Sequence, residues 1–212
     1  MEVTELAVPG TYEFAPRPAE DARGLVLEAM RADAFAGAIG HAFHLAQVNL
    51  SVSRRGVIRG VHYVALPGQA KYVCCVRGAV LDIAVDLRIG SPGFGTYAVT
   101  RLDDTEMRAV YMPVGVGHAY LSLSDDSTVV YLMSAPYIPA RQRAVHPLDP
   151  ELALPWAGEP AGVDPVLSGQ DDAAPTLAAA RARGLLPTYA DCLRIERLRE
   201  RTGPDRTTTT PR

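Results

Sequence analysis

Between residues 43 and 135, apolar and polar positions alternate in short runs, each closed by a glycine, proline or aspartate turn. The pattern predicts strands over 43–53, 57–64, 71–77, 79–87, 95–102, 108–113, 118–123 and 128–135, several of them rich in Val, Tyr and Thr. Pro67-Gly68, Arg77-Gly78, Gly90-Ser91-Pro92-Gly93 and Asp125-Asp126 supply turn chemistry between them. Strands of this length and spacing belong to a sandwich or a barrel, so the fold class is mainly β. Residues 11–40 read as a lead-in segment with one short helix over Arg31–Ile39. A proline-rich stretch over 136–170 predicts a long ordered connection, and helices follow near 173–183 and 188–201. The tail 202–212 lacks aliphatic and aromatic side chains and is expected to be disordered. The expected organisation is therefore one domain over 1–201, without internal repeats.

Strand 43–53 carries Ala46, Val48, Leu50 and Val52 on one face and Gln47, Asn49, Ser51 and Ser53 on the other. A polar face of this kind is either the solvated side of an antiparallel strand or the wall of a polar pocket, and the alternation alone fits both.

Composition narrows the function classes. A chain of 212 residues buries about 70% of its unfolded surface, so folding needs no disulfide or metal. A net charge of −3 gives no footprint for nucleic acid, and no apolar run is long enough to span a bilayer. Met1–Gly10 lacks the layout of a secretion signal. The three cysteines do not form a disulfide framework: adjacent Cys74 and Cys75 point to opposite faces of a strand. Reduced packing cysteines in a cytoplasmic protein are the expectation. Of the 21 basic residues 20 are arginine, and Lys71 is the only lysine. That makes it a candidate for a position where an ammonium is needed rather than any cation.

Two spacings carry more. Gly56 is followed after five residues by His62, and Lys71 after six by Gly78; later comes Pro113-Val114-Gly115-Val116-Gly117-His118. These runs resemble the two signature motifs of the cupin superfamily, in which three histidines and a glutamate hold a metal in a jelly-roll barrel. Here the second histidine position is Val64 and the glutamate position is Lys71. Valine offers no lone pair and an ammonium repels a cation, so the expectation is no metal and no cofactor.

The run Gly56-Val-Ile-Arg-Gly-Val-His-Tyr63 is similar to a signature of dTDP-4-dehydrorhamnose 3,5-epimerases, as are RGAVLDIAVDLRIGSPGFG (77–95), YMPVGVGHAYLSL (111–123) and VVYLMSAPY (129–137). Counterparts also exist for Arg23-Gly24, LDPELALPW (148–156) and VLSGQDDAAPTL (166–177). The resemblance covers about residues 20–190. It implies a cupin-type antiparallel jelly-roll barrel with core about 43–135 and C-terminal helices about 173–201, and epimerisation of a dTDP-linked 4-keto-6-deoxy sugar at C3, C5 or both. In its terms His62 is the base, Asp171 its orienting carboxylate, Lys71 the cation at the enolate oxygen, and Tyr131 the acid that reprotonates. Arg23 and Arg59 would contact phosphate, Tyr137 would stack on the nucleotide base, and Gln47, Asn49, Ser53 and His118 would line the pocket. The resemblance also implies a homodimer in which Arg23 reaches the partner's site. Val64 stands where many members carry glutamine, and Gln170 where lysine is common; both changes bear on which sugar is taken, and an antibiotic deoxysugar pathway is the setting they favour. A 4-keto to 3-keto isomerase, a metal-dependent cupin enzyme and a non-catalytic sugar-binding cupin are the competing readings. His41, His44 and His146 read as structural or surface residues.

Overall fold

The computed structural model describes residues 1–156 and 164–201, and the expected disordered tail lies outside them. In chain order the elements are β1 (Glu2–Glu5), β2 (Tyr12–Ala15), β3 (Ala19–Asp21), β4 (Gly24–Val26), α1 (Ala32–Ile39), β5 (Gln47–Ser53), β6 (Ile58–Val64) and β7 (Lys71–Arg77). Next come β8 (Ala79–Asp86), β9 (Tyr97–Asp103), β10 (Ala109–Met112), β11 (Val116–Ser122), β12 (Ser127–Met133) and β13 (Gln142–Ala144). Helices α2 (Gly169–Asp172), α3 (Leu177–Ala182) and α4 (Tyr189–Arg201) follow.

Two antiparallel sheets form the expected jelly roll. The first has strand order β1-β2-β10-β7-β12-β5 and the second β13-β6-β11-β8-β9. Val73, Cys75, Val110, Met112 and Val129 of the first sheet meet Val80, Ala84, Leu102 and Val116 of the second between the layers. Much of each outer face is also covered. Leu152, Trp156, Leu177, Ala180 and Leu186 pack against Ile58, Val61, Ile83, Val85 and Leu121 of the second sheet. On the first sheet, Phe35 of α1 sits fully buried against Phe14, Tyr72 and Tyr111, a burial that contributes about 1.5–3 kcal/mol. Coverage on both faces explains why β11 is buried at all seven positions.

The eight predicted strands appear within a few residues of the expected bounds, and helix 31–39 appears as α1. Five further strands are present among the described residues: β1, β2, β3, β4 and β13. The helix expected near 173–183 appears as the shorter α3, and a separate turn of helix, α2, precedes it. Ser168 caps α2 by accepting from the Asp171 amide, and Thr176 caps α3 by accepting from the Ala179 amide. Two good caps eight positions apart stop one helix and start another.

Candidate active site

Between the sheets, a cavity of about 320 Å³ opens where the core residues give way to polar ones. The second sheet lines it with Arg59, His62, His118 and Tyr120, and the first with Asn49, Ser51, Lys71 and Tyr131. The ambiguity of strand β5 is resolved in favour of the pocket wall. Gln47, Asn49, Ser51 and Ser53 face inward, while Val48, Leu50 and Val52 are 53–61% exposed.

His62 and His118 are directly opposed in the register of β6 and β11, so both imidazoles project from one wall. Each is held by its own carboxylate. His62 Nε2 lies 2.6 Å from Asp171 Oδ1, a residue that α2 brings in from behind the strand. Burial raises the Asp171 carboxyl, but hydrogen bonds from His62 and Ser168 and from the Gly60 amide outweigh it and hold the carboxyl below its ordinary value. Asp171 therefore stays charged, and a charged partner fixes Nε2 as the protonated nitrogen of a neutral His62, leaving Nδ1 as the basic atom. Gly60 permits this arrangement. Its φ is +131°, and a Cβ there would stand 2.4 Å from the Ala119 Cβ.

His118 Nε2 lies 2.6 Å from Asp82 Oδ2, with both side chains buried. Burial lowers the imidazole below its ordinary value, more than the Asp82 charge raises it. Sequence reasoning did not single out Asp82. The signal was a carboxylate at the centre of the apolar strand AVLDIAVD, in register with Tyr120.

Lys71 opens β7 on the opposite wall, and its Nζ donates to the His62 carbonyl at 3.4 Å. Burial pushes the ammonium down to about 8, with Asp82 opposing the shift. Tyr131 on β12 presents its ring edge to His118, centroids 5.8 Å apart. Burial drives its phenol well above the ordinary value, Tyr120 adds to this, and the Ser51 hydroxyl opposes it. Tyr131 keeps its proton at neutral pH. The two walls thus set an imidazole base and a protonated phenol across one cavity, with a cation beside them.

Tyr137 and Gln142 lie at the rim. The Tyr137 amide donates to Gln47 Oε1 at 2.7 Å, and Gln47 Nε2 donates to Asn49 Oδ1 at 2.6 Å, so the rim segment is tied to β5. Arg59 Nε donates to Ser53 Oγ at 3.0 Å. Of the sequence-predicted site residues, Arg23 does not join the cluster within one chain. It sits in the turn of the β3–β4 hairpin, whose six strand residues are all exposed, and its guanidinium pairs with Asp21. Among the described residues no group of three or more His, Cys, Asp and Glu side chains could hold a metal, and no helix is long and apolar enough to cross a membrane. His41 forms a buried pair with Glu196, 3.1 Å apart, which ties α4 to the segment after α1.

Comparison with known proteins gives concordant matches. The family model described as dTDP-4-dehydrorhamnose 3,5-epimerase matches residues 5–179. The chain is 53% identical over 193 residues to a Streptomyces niveus protein named dTDP-4-dehydrorhamnose 3-epimerase, covering 91% of each chain. It resembles the crystal structure of NovW, a 4-keto-6-deoxy sugar epimerase from the novobiocin gene cluster of Streptomyces spheroides, with TM-score 0.87 and 52% identity over 91% of this chain and 95% of that one. ChmJ, a 3'-monoepimerase from Streptomyces bikiniensis solved with dTDP-quinovose, matches with TM-score 0.87 and 47% identity over 92% and 98% of the two chains.

Proposed function

The chain belongs to the dTDP-4-dehydrorhamnose 3,5-epimerase family, and from that premise we propose how its own residues perform the reaction. It is an isomerase that epimerises a dTDP-linked 4-keto-6-deoxy sugar next to the C4 ketone. The ketone acidifies the neighbouring C–H bonds, so inversion needs a base on one face, an acid on the other and a positive group at the oxygen where charge develops. His62 Nδ1 takes the proton, and Asp171 holds the tautomer and stabilises the imidazolium. Lys71 supports the enolate oxygen. Tyr131 returns a proton from the opposite wall. The observation that carries this reading is the placing of His62 and Tyr131 on facing sheets across one cavity.

His118, braced by Asp82, lines the sugar pocket with Asn49 and Ser53, and Gln47 holds the rim. Arg59 binds the diphosphate through its planar fork, and Tyr137, 53% exposed, stacks on the thymine. The protein works without a metal or cofactor. C3 is the carbon we expect it to invert, supported by the relatives named as 3-epimerases.

The working form is a homodimer. An edge strand of the first sheet, β5, turns Val48, Leu50 and Val52 outward, and the β3–β4 hairpin exposes Leu25 and Val26. An apolar surface of this kind fits a second copy of the same chain, and pairing would carry Arg23 to the partner's diphosphate. Three free cysteines suit a reducing cytoplasm. The test is incubation with dTDP-4-keto-6-deoxyglucose without added metal, with the sugar products resolved by NMR coupling constants. An inverted C3 proton supports the reading; unchanged sugar at long times removes it.

A further inference from the structure

Behind Tyr131 runs an unbroken chain of hydrogen bonds. Tyr131 Oη is 3.1 Å from Ser51 Oγ, which is 3.0 Å from Tyr120 Oη. Tyr120 Oη is 2.9 Å from Ser53 Oγ, and Ser53 Oγ accepts from Arg59 Nε at 3.0 Å. Each hydroxyl has one proton to give. A guanidinium only donates, so Ser53 accepts at the arginine end; a hydroxyl oxygen has two lone pairs, and each of the other links can run in either sense. In one sense Ser53 donates to Tyr120, Tyr120 donates to Ser51, and Ser51 donates to Tyr131. In that sense the Tyr131 oxygen accepts from Ser51 and its own proton is free for the cavity that its side chain lines.

We infer that Ser51 and Tyr120 are positioning residues for Tyr131, forming with Ser53 and Arg59 a chain that runs in this sense and aims the Tyr131 proton at the sugar. The inference rests on Tyr131 being the reprotonating acid. In the transfer, the Tyr131 O–H bond breaks and the electron pair of the enolate carbon forms the new C–H bond. The charge left on the Tyr131 oxygen receives the Ser51 hydrogen bond. His62 meanwhile holds the proton taken from the sugar, and after product leaves, that proton returns to Tyr131 through solvent, so the cycle balances. Hydrogen bonds in series polarise one another, so a break anywhere weakens the last donor. Arg59 Nη2 also donates to the Val52 carbonyl at 3.5 Å, and the remaining N–H groups of the guanidinium are open to the diphosphate, which joins substrate binding to the orientation of the acid.

The test separates inversion from exchange. In heavy water His62 alone can replace a sugar proton by deuterium with retention, whereas inversion requires Tyr131. Ser51→Ala and Tyr120→Phe are expected to invert about ten-fold or more slowly, with exchange in retention and KM within about three-fold of wild type. Ser51→Thr, which restores a hydroxyl, is expected to recover inversion. Wild-type inversion rates in both variants overturn the inference, and so does parallel loss of exchange and inversion, the mark of a purely structural role. Tyr131→Phe is run alongside and is expected to lose inversion and keep exchange. Should Tyr131→Phe invert normally, the assignment of the acid fails and the chain behind it has no task.

Discussion

His62 Nε2 and Asp171 Oδ1 lie 2.6 Å apart, although 109 positions separate the two residues in the chain. The contact depends on α2 packing against β6, and on Gly60 letting its amide reach the same carboxylate. A neutral amide at 171 would keep the shape and lose the charge that steadies the imidazolium. Asp171→Asn is therefore expected to lower kcat about 10²–10⁴-fold with KM little changed, measured by steady-state epimerisation. Acid stability should move with it. The Asp171 carboxyl titrates below its ordinary 3.8 in the folded chain. Its stabilising contribution is thus present above the unfolded value and is lost as pH falls through the folded one. Urea melts in that acid window should show a shallower pH dependence for Asp171→Asn.

Lys71 gives the alkaline side of the profile. Its folded pKa is lowered from 10.5 to about 8 by burial. The ammonium that supports the enolate is lost as pH rises through about 8, so kcat/KM should fall there. Lys71→Met is expected to lower kcat/KM about 10²–10³-fold and to remove that limb. Stability runs the other way. Between about 8 and 10.5 the unfolded chain holds this proton and the folded chain does not, so stability rises with pH across the window. The stability of wild type relative to Lys71→Met should therefore increase over the same range.

Gly60 is tested by adding one methyl group. A Cβ would come within 2.6 Å of the Ala119 Cα and the His118 carbonyl oxygen, on backbone that an L side chain adopts only under strain. Gly60→Ala should cost about 1–3 kcal/mol of stability and displace both His62 and the amide that serves Asp171. Thermal melting and epimerase assays on one preparation check both.

Much of this was legible in the sequence because burial on both faces leaves strong patterns. Runs such as VGHAYLS and STVVYLM need no partner to be read as strands. The missed strands are short and lack such burial: β1 is EVTE, and β3 and β4 are exposed at every position. Spacing against glycine and proline corners gave His62, Lys71 and His118. Asp171 and Tyr131 came from family resemblance, since local pattern makes one a helix start and the other a core aromatic. Asp82, Ser51 and Tyr120 are defined by partners in other strands, and such pairings emerge only with the register.

Exposed Arg23 bears on assembly. If it serves the neighbouring site, Arg23→Ala and His62→Ala chains should complement each other. Coexpressed mixed dimers hold one intact site, so a random mixture should recover about a quarter of wild-type activity, where either variant alone is nearly inactive. Leu50→Glu, which charges the outward face of β5, should yield monomers by light scattering. Activity that persists in such monomers counts against the partner role.

The most direct measurement of the central claim is proton exchange in heavy water. The purified protein is mixed with dTDP-4-keto-6-deoxyglucose, and the C3 and C5 protons are followed by NMR beside His62→Ala. Deuterium should enter at C3 with the wild-type chain and stay at background with the variant. Exchange that survives in His62→Ala, or wild-type protein that leaves both carbons protiated, would contradict the account.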